Sequence, residues 1–282
     1  MTYRSLLTLL DADALGSMRN AVAIRLARDL DCHLVGVAPT GLIYVPMAPA
    51  AGPSLTRYAE LAWEELRQQA REATRRFDDE CRAKGVKSFE AVIDESDKAK
   101  SLVQHAHCCD LTVLTQPDPG AVDHVPALEL VEQVVLYSAR PTLILPYVGR
   151  FEAMGTNAVV AWDDSREAAR ALADALPLLR RAASVRILSW SESEANDDDD
   201  AAGRVRLEAL RRWLMRQGVT AEVHVQPGQL DIAEAMLSRA ADLGADLIVM
   251  GAYGHARWRE RLLGGATRGV LASMTVPVLM SH

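Results

Sequence analysis

The stretch 245–280, ADLIVMGAYGHARWRERLLGGATRGVLASMTVPVLM, decides how the rest of the chain is read. Leu247-Ile248-Val249-Met250 is an apolar run with the length of a buried strand. It ends in Gly251-Ala252-Tyr253-Gly254 and passes through a basic segment to Gly264-Gly265-Ala266-Thr267. A second apolar run follows at 276–280. A strand that feeds glycines, which in turn feed a helix, brings backbone N–H groups to a phosphate. The competing reading is a tight turn with close helix packing, which uses glycine equally well.

Working outward, the same register recurs in the first half. Cys109-Asp-Leu-Thr-Val-Leu114 matches Ala245-Asp-Leu-Ile-Val-Met250 at an offset of 136, and Pro141–Leu145 matches Pro277–Ser281 at the same offset. Arg82–Val86 matches Met215–Val219 at an offset of 133. The chain is therefore an internal duplication, with domains at 1–150 and 151–282 and a boundary near 149–155. The first half predicts strands at 5–10, 33–38, 89–93, 111–114 and 142–145, with helices at 19–30, 56–84, 97–107 and 128–138. The second half predicts strands at 157–162, 185–190, 221–225, 247–250 and 276–280, with helices at 165–181, 204–217 and 231–243 and a last helix starting at Gly264-Gly265. The strands lack clean alternation, which marks a parallel sheet covered on both faces. The expected fold class is α/β, as two tandem doubly wound five-stranded parallel-sheet domains.

Local signals refine the elements. Asp164 is placed to cap the helix at 165–181 with Glu167 reaching back, and Asp231 with Glu234 repeats that box. Ala62, Leu66, Ala70, Ala73, Phe77 and Cys81 form one helical stripe, which Gly85 terminates. The segment 39–53 has four prolines and reads as a loop. Its Leu42, Ile43, Tyr44, Val45 and Met47 are either an interaction surface or, as favoured here, a cover for the tandem interface. The acidic run 197–200 reads as a solvated loop.

Composition narrows the function. Hydrophobic residues make up 49% and charged residues 24% of the 282, with a net charge of −7. That balance argues against a broad nucleic-acid or anionic-membrane surface, though not against a local anion site. No apolar run reaches the roughly 20 residues of a membrane span. The N-terminus reads as a first strand and not as a signal peptide. The four cysteines lack a disulfide-framework spacing, so a reduced, cytoplasmic protein is expected. His105, His107, Cys108 and Cys109 look like a metal cluster, but they align with a helix end and a strand start in the second half, and no metal is expected there. No nucleophile can be paired with a base, so no catalytic residue is assigned.

The spacing G-x2-G-x9-G at Gly251, Gly254 and Gly264, with the preceding Ala-Asp-Leu-Ile-Val-Met and the closing Val-Pro-Val-Leu, resembles the nucleotide loop of the universal stress protein family. The resemblance covers the chain as two tandem domains, strong in the second and faded in the first. It implies five parallel strands per half and pairing of the two domains through their last strands, within the chain. Many members bind ATP without a settled catalytic activity. Carried over, the pocket uses Asp163 for ribose or base, Gly251, Gly254 and Gly264 along the phosphates, and Gly265, Ala266 and Thr267 as N–H and hydroxyl donors. Gly228 supports a neighbouring loop. The implied ligand is ATP or another adenine nucleotide, with Mg²⁺ accompanying it.

Two departures stand out. Gly265 occupies a position where the family's ATP binders usually have Ser or Thr. Trp162 and Trp190 stand where smaller residues are usual, and either stack on a base or fill its space. Around the glycines, Tyr253, His255, Trp258, Arg257, Arg259, Arg261 and Arg268 form either a phosphate clamp or, as favoured here, a solvated loop. In the first half Thr115, Asp118 and Leu128 replace the motif glycines, Glu129 replaces Gly265 and Glu132 replaces Arg268. A nucleotide site of the family kind is not expected there. The expected function is a stress-response sensor or regulatory module with a nucleotide site in the second domain. The alternative is an interaction scaffold with a closed pocket. A further homodimer and an unidentified protein partner complete the expected partners.

Overall fold

The computed structural model describes residues 2–11, 15–41, 53–191, 197–227, 231–254 and 265–282. Gly228, Gly264, the apolar residues of the 39–53 loop, and His255, Arg257, Trp258, Arg259 and Arg261 lie outside them. The first repeat runs β1 (Ser5–Leu9), α1 (Gly16–Leu30), β2 (His33–Pro39), α2 (Pro53–Ala83), β3 (Phe89–Asp94), α3 (Lys98–Ala106), β4 (Leu111–Thr115), α4 (His124–Tyr137) and β5 (Thr142–Leu145). The second runs β6 (Asn157–Ala161), α5 (Arg166–Leu179), β7 (Ser184–Ser191), α6 (Asp197–Arg216), β8 (Glu222–Pro227), α7 (Ile232–Asp242), β9 (Leu247–Gly251), α8 (Gly265–Ser273) and β10 (Val278–Ser281). All ten strands fall where the repeat register predicts them, within one or two residues at each end. The fold is α/β with a mostly parallel sheet.

By contact the chain divides into two compact units. One takes Tyr3–Thr115 and Val125–Ser138, and the other takes Gln116–His124 and Ala139–His282. In the first unit β1 lies between β2 and β4, and β3 flanks β2, all parallel. In the second, β6 lies between β7 and β9, β8 flanks β7 and β10 flanks β9, again all parallel. The last strand of the first repeat joins this second unit. β5 pairs antiparallel with β10, Ile144 opposite Val278 and Thr142 opposite Met280.

The strands explain their own placement. β4, β5 and β10 are buried at every position, and β1 and β9 at all but one, which is why they read as continuous apolar runs. β3 alternates more, with Glu90 and Ile93 exposed. The stripe on α2 is buried from Ala70 through Ala73 and Phe77 to Cys81, whereas Ala62 is exposed. Gly36 in β2 makes room for it, since a Cβ there would stand 2.9 Å from the Phe77 ring.

Paired devices hold the repeats in register. Asp110 accepts from the backbone N–H groups of Arg4 and Ser5, at 2.6 and 3.0 Å. Asp246, its counterpart, accepts from those of Thr156 and Asn157, at 3.0 and 2.8 Å. Each carboxylate thus ties the start of the fourth strand of its repeat to the start of the first, through charge-assisted bonds. Asp97 and Asp231 cap α3 and α7 by accepting from Lys100 and Glu234 N–H. Gly85 and Gly218, at φ +70° and +80°, end α2 and α6 in the left-handed conformation.

Three local expectations are corrected. The cap of α5 is Ser165, whose Oγ accepts from Ala168 N–H at 3.1 Å, while Asp164 adopts φ +60° outside the helix. Residues 197–200 open α6 and are not a loop. α4 begins at His124, so Pro126 falls in its first turn, where a missing N–H costs nothing.

Candidate functional site

In an open parallel sheet the ligand crevice lies outside the carboxyl ends of the strands, where the strand order reverses. In the second repeat that point lies between β6 and β9. β6 ends at Ala161 and is prolonged by Trp162, whose N–H donates to Leu188 O at 2.8 Å. Trp162 is only 9% exposed, so its indole fills space within the fold and offers little face for stacking. Trp190, near the end of β7, is half-buried. Asp163 is exposed, and its Oδ1 accepts from Ser165 N–H at 3.0 Å, shaping the turn into α5. Asp164 pairs with Arg206 of α6 at 3.0 Å.

On the other side, β9 ends at Gly251. A Cβ there would lie 2.6 Å from both Ala168 N and the carbonyl carbon of Glu167, so the strand end abuts the first turn of α5. Only glycine permits that approach. Tyr253 follows at φ +54°, and its N–H donates to the buried Thr267 hydroxyl at 3.2 Å. Gly254 is exposed, and a Cβ on it would stand 3.2 Å from Glu167 Oε2. α8 opens with Gly265 and Ala266, both exposed, and a Cβ on Gly265 would meet no atom of the described residues within 4 Å. The unpaired N–H groups of a helix start carry partial positive charge. Gly269, one turn on, packs against Ala233 of α7.

The structure thus gathers Gly251, Gly254 and Thr267, with Asp163 at the entrance to α5 and Gly265 and Ala266 at the start of α8. Glu167 is the residue that sequence reasoning misassigned. It is buried, lies against Gly254, and accepts from the Arg166 guanidinium at 2.9 and 3.1 Å. Because Ser165 is the cap, Glu167 occupies the second helical position and not the third, so it does not reach back to the cap. The signal lay in the choice between two adjacent capping residues, Asp164 and Ser165.

The corresponding crevice of the first repeat, between β1 and β4, is filled. Arg19 of α1 is 2% exposed. Its Nε donates to Leu9 O at 3.0 Å, one terminal nitrogen to Thr115 Oγ1 at 2.8 Å, and the other to Asp11 Oδ1 at 2.7 Å. Asp11 and Thr115 are the counterparts of Asp163 and Gly251, and Arg19 stands where the second repeat has Ala171. The sequence clue was a charged residue on a helical stripe shared with Val22, Ala23 and Leu26, all buried.

Other titratable groups among the described residues have ordinary partners or are buried. His105 faces Asp94 at 3.5 Å, and His107 donates from Nε2 to Tyr137 O at 3.3 Å. Burial raises the thiols of Cys32 and Cys81, to about 11 and about 12, which leaves both protonated near neutral pH. Among the described residues no three His, Cys, Asp or Glu side chains converge as a metal site, and no helix is long and apolar enough to cross a membrane. An open groove between α2 and β3, lined by Arg75, Asp78, Arg82, Phe89 and Glu90, has mixed charge and no nucleophile paired with a base.

Residues 154–282 match the model of the universal stress protein family. Over 86 residues the chain is 33% identical to a curated universal stress protein of Synechocystis sp. (strain ATCC 27184 / PCC 6803 / Kazusa). That segment is 30% of this chain and spans only 29% of the relative's length. Among solved structures, a universal stress protein from Archaeoglobus fulgidus DSM 4304 superposes with a TM-score of 0.67 at 17% identity, over 98% of this chain and 97% of that one. A functionally unknown protein from Pseudomonas aeruginosa PAO1 gives 0.60 at 15% identity, over 99% and 92%. At these identities the likeness speaks for the fold alone.

Proposed function

We propose that this chain, whose residues 154–282 match the universal stress protein family model, is a stress-response regulatory module that binds an adenine nucleotide in the crevice of its second repeat. One observation carries the reading: the crevice between β1 and β4 is filled by Arg19, whereas the one between β6 and β9 ends in Gly251 and Gly254 beside the exposed start of α8. A phosphate placed there would meet N–H groups at Gly265 and Ala266 with the positive end of the helix dipole behind them. Asp163, exposed at the mouth, would take a ribose hydroxyl. Where ATP carries Mg²⁺, the carboxylate oxygens of Asp163 and Glu167 are the hard donors this rim supplies. No general base is assigned, so the activity proposed is binding and not hydrolysis.

The test is a calorimetric titration of ATP with Mg²⁺ into the wild type and Gly254→Val. Saturable binding to the wild type, weakened at least about tenfold in the variant, is expected. Equal binding to both proteins would place the site elsewhere. The absence of saturable binding to the wild type would favour a second reading, an interaction scaffold with a closed pocket. The burial of Trp162 and the seat of Glu167 against Gly254 support that second reading.

A further inference from the structure

Glu167 is an unusual neighbour for a phosphate. It sits in the first turn of α5, where the helix dipole favours an anion. Its side chain is 8% exposed, and Oε2 lies where a Cβ added to Gly254 would stand 3.2 Å from it. Oε1 is held by Arg166, whose side chain is 80% exposed. Solvent screens such a partner, so the guanidinium neutralises the carboxylate only weakly. The rim of the crevice therefore already holds an anion of the chain's own.

We infer that Glu167 is a specificity-determining residue of the second crevice: its carboxylate stands beside Gly254 where a phosphate would lie, so the crevice takes an uncharged adenine nucleoside in preference to free ATP. This inference rests on the nucleotide reading above. Two like charges held a few ångströms apart, with protein on one side and little water between, repel strongly. An entering polyphosphate must displace Glu167 from the α5 terminus or accept that repulsion. A nucleoside does neither, because it brings ribose and base without charge.

The experiment titrates adenosine and metal-free ATP, in EDTA, into the wild type, Glu167→Gln and Arg166→Ala. Glu167→Gln keeps the size of the side chain and removes its charge. It should tighten ATP by about tenfold or more while leaving adenosine within about twofold. Arg166→Ala alters only an exposed side chain, so it keeps the fold intact, and it should weaken ATP by about threefold without moving adenosine. Wild type that prefers ATP to adenosine would overturn the inference. So would unchanged ATP-to-adenosine ratios in both variants, with the nucleotide reading left standing. If neither ligand binds any of the three proteins, the inference falls, and the nucleotide reading falls with it if ATP with Mg²⁺ also fails to bind the wild type.

Discussion

The two crevices of this chain are built at equivalent points of one repeated fold, yet they hold opposite charges. Between β1 and β4 lies a cation, Arg19, held by a backbone carbonyl, a threonine hydroxyl and the Asp11 carboxylate. Between β6 and β9 lies an anion, Glu167, whose partner among the described residues is a solvent-exposed arginine, Arg166. The first is closed by its own hydrogen bonds. The second leaves a helix start and a glycine turn facing outward. By contrast, the strand clamps Asp110 and Asp246 and the caps Asp97 and Asp231 do the same work in both repeats. Duplication has kept what holds the sheet together and let the crevices diverge.

The comparison can be broken most forcefully at Arg19. Arg19→Ala leaves Asp11 and Thr115 without their partner inside the fold and should cost about 3 kcal/mol or more, read as a lowered urea midpoint. A change below about 0.5 kcal/mol would mean that the first crevice is not held shut by this residue. The second prediction concerns the other crevice. Gly251→Ala drives a Cβ into the backbone of Ala168 and Glu167 and should destabilise by about 1–3 kcal/mol in thermal melts. Gly265→Ala, whose Cβ would meet no atom of the described residues, should cost far less.

The smallest effect is one of pH. Asp174 of α5 accepts from Ser281 Oγ of β10 at 2.9 Å and lies near Arg170. Burial raises its carboxyl above the ordinary aspartate value, outweighing the Ser281 bond and the arginines. A raised carboxyl binds its proton more tightly in the folded state. Its contribution is therefore full below the unfolded value and is lost as pH rises through the folded one. Asp174→Asn should flatten the dependence of the urea midpoint on pH above the ordinary aspartate range. An unchanged slope would show that Asp174 does not set it.

Much of the fold was legible because the chain states it twice. An apolar run of four or five residues is ambiguous alone, but the same run recurring at an offset of 136 with the same flanking aspartate is not. The pairing of β5 with β10 left no mark in either strand's pattern; the family resemblance implied that the last strands pair, and the antiparallel sense came from the structure. Arg19 was hard to read for a chemical reason: a charged residue on a helix normally signals solvent, and one of its acceptors, Thr115, lies 96 residues away in the chain. Glu167 was legible as a helix-start residue but not as a neighbour of Gly254. Its role depends on a one-residue choice of cap, settled by the left-handed backbone at Asp164.

The pairing of β5 with β10 has a consequence for how the protein behaves in a growing cell. Two separate subunits joined by such a seam come apart as they are diluted, because their association depends on concentration. Here Thr142–Leu145 and Val278–Ser281 are tethered on one polypeptide, so each strand meets the other at a fixed effective concentration. The seam survives when the protein becomes scarce, and a few copies per cell are joined as firmly as many.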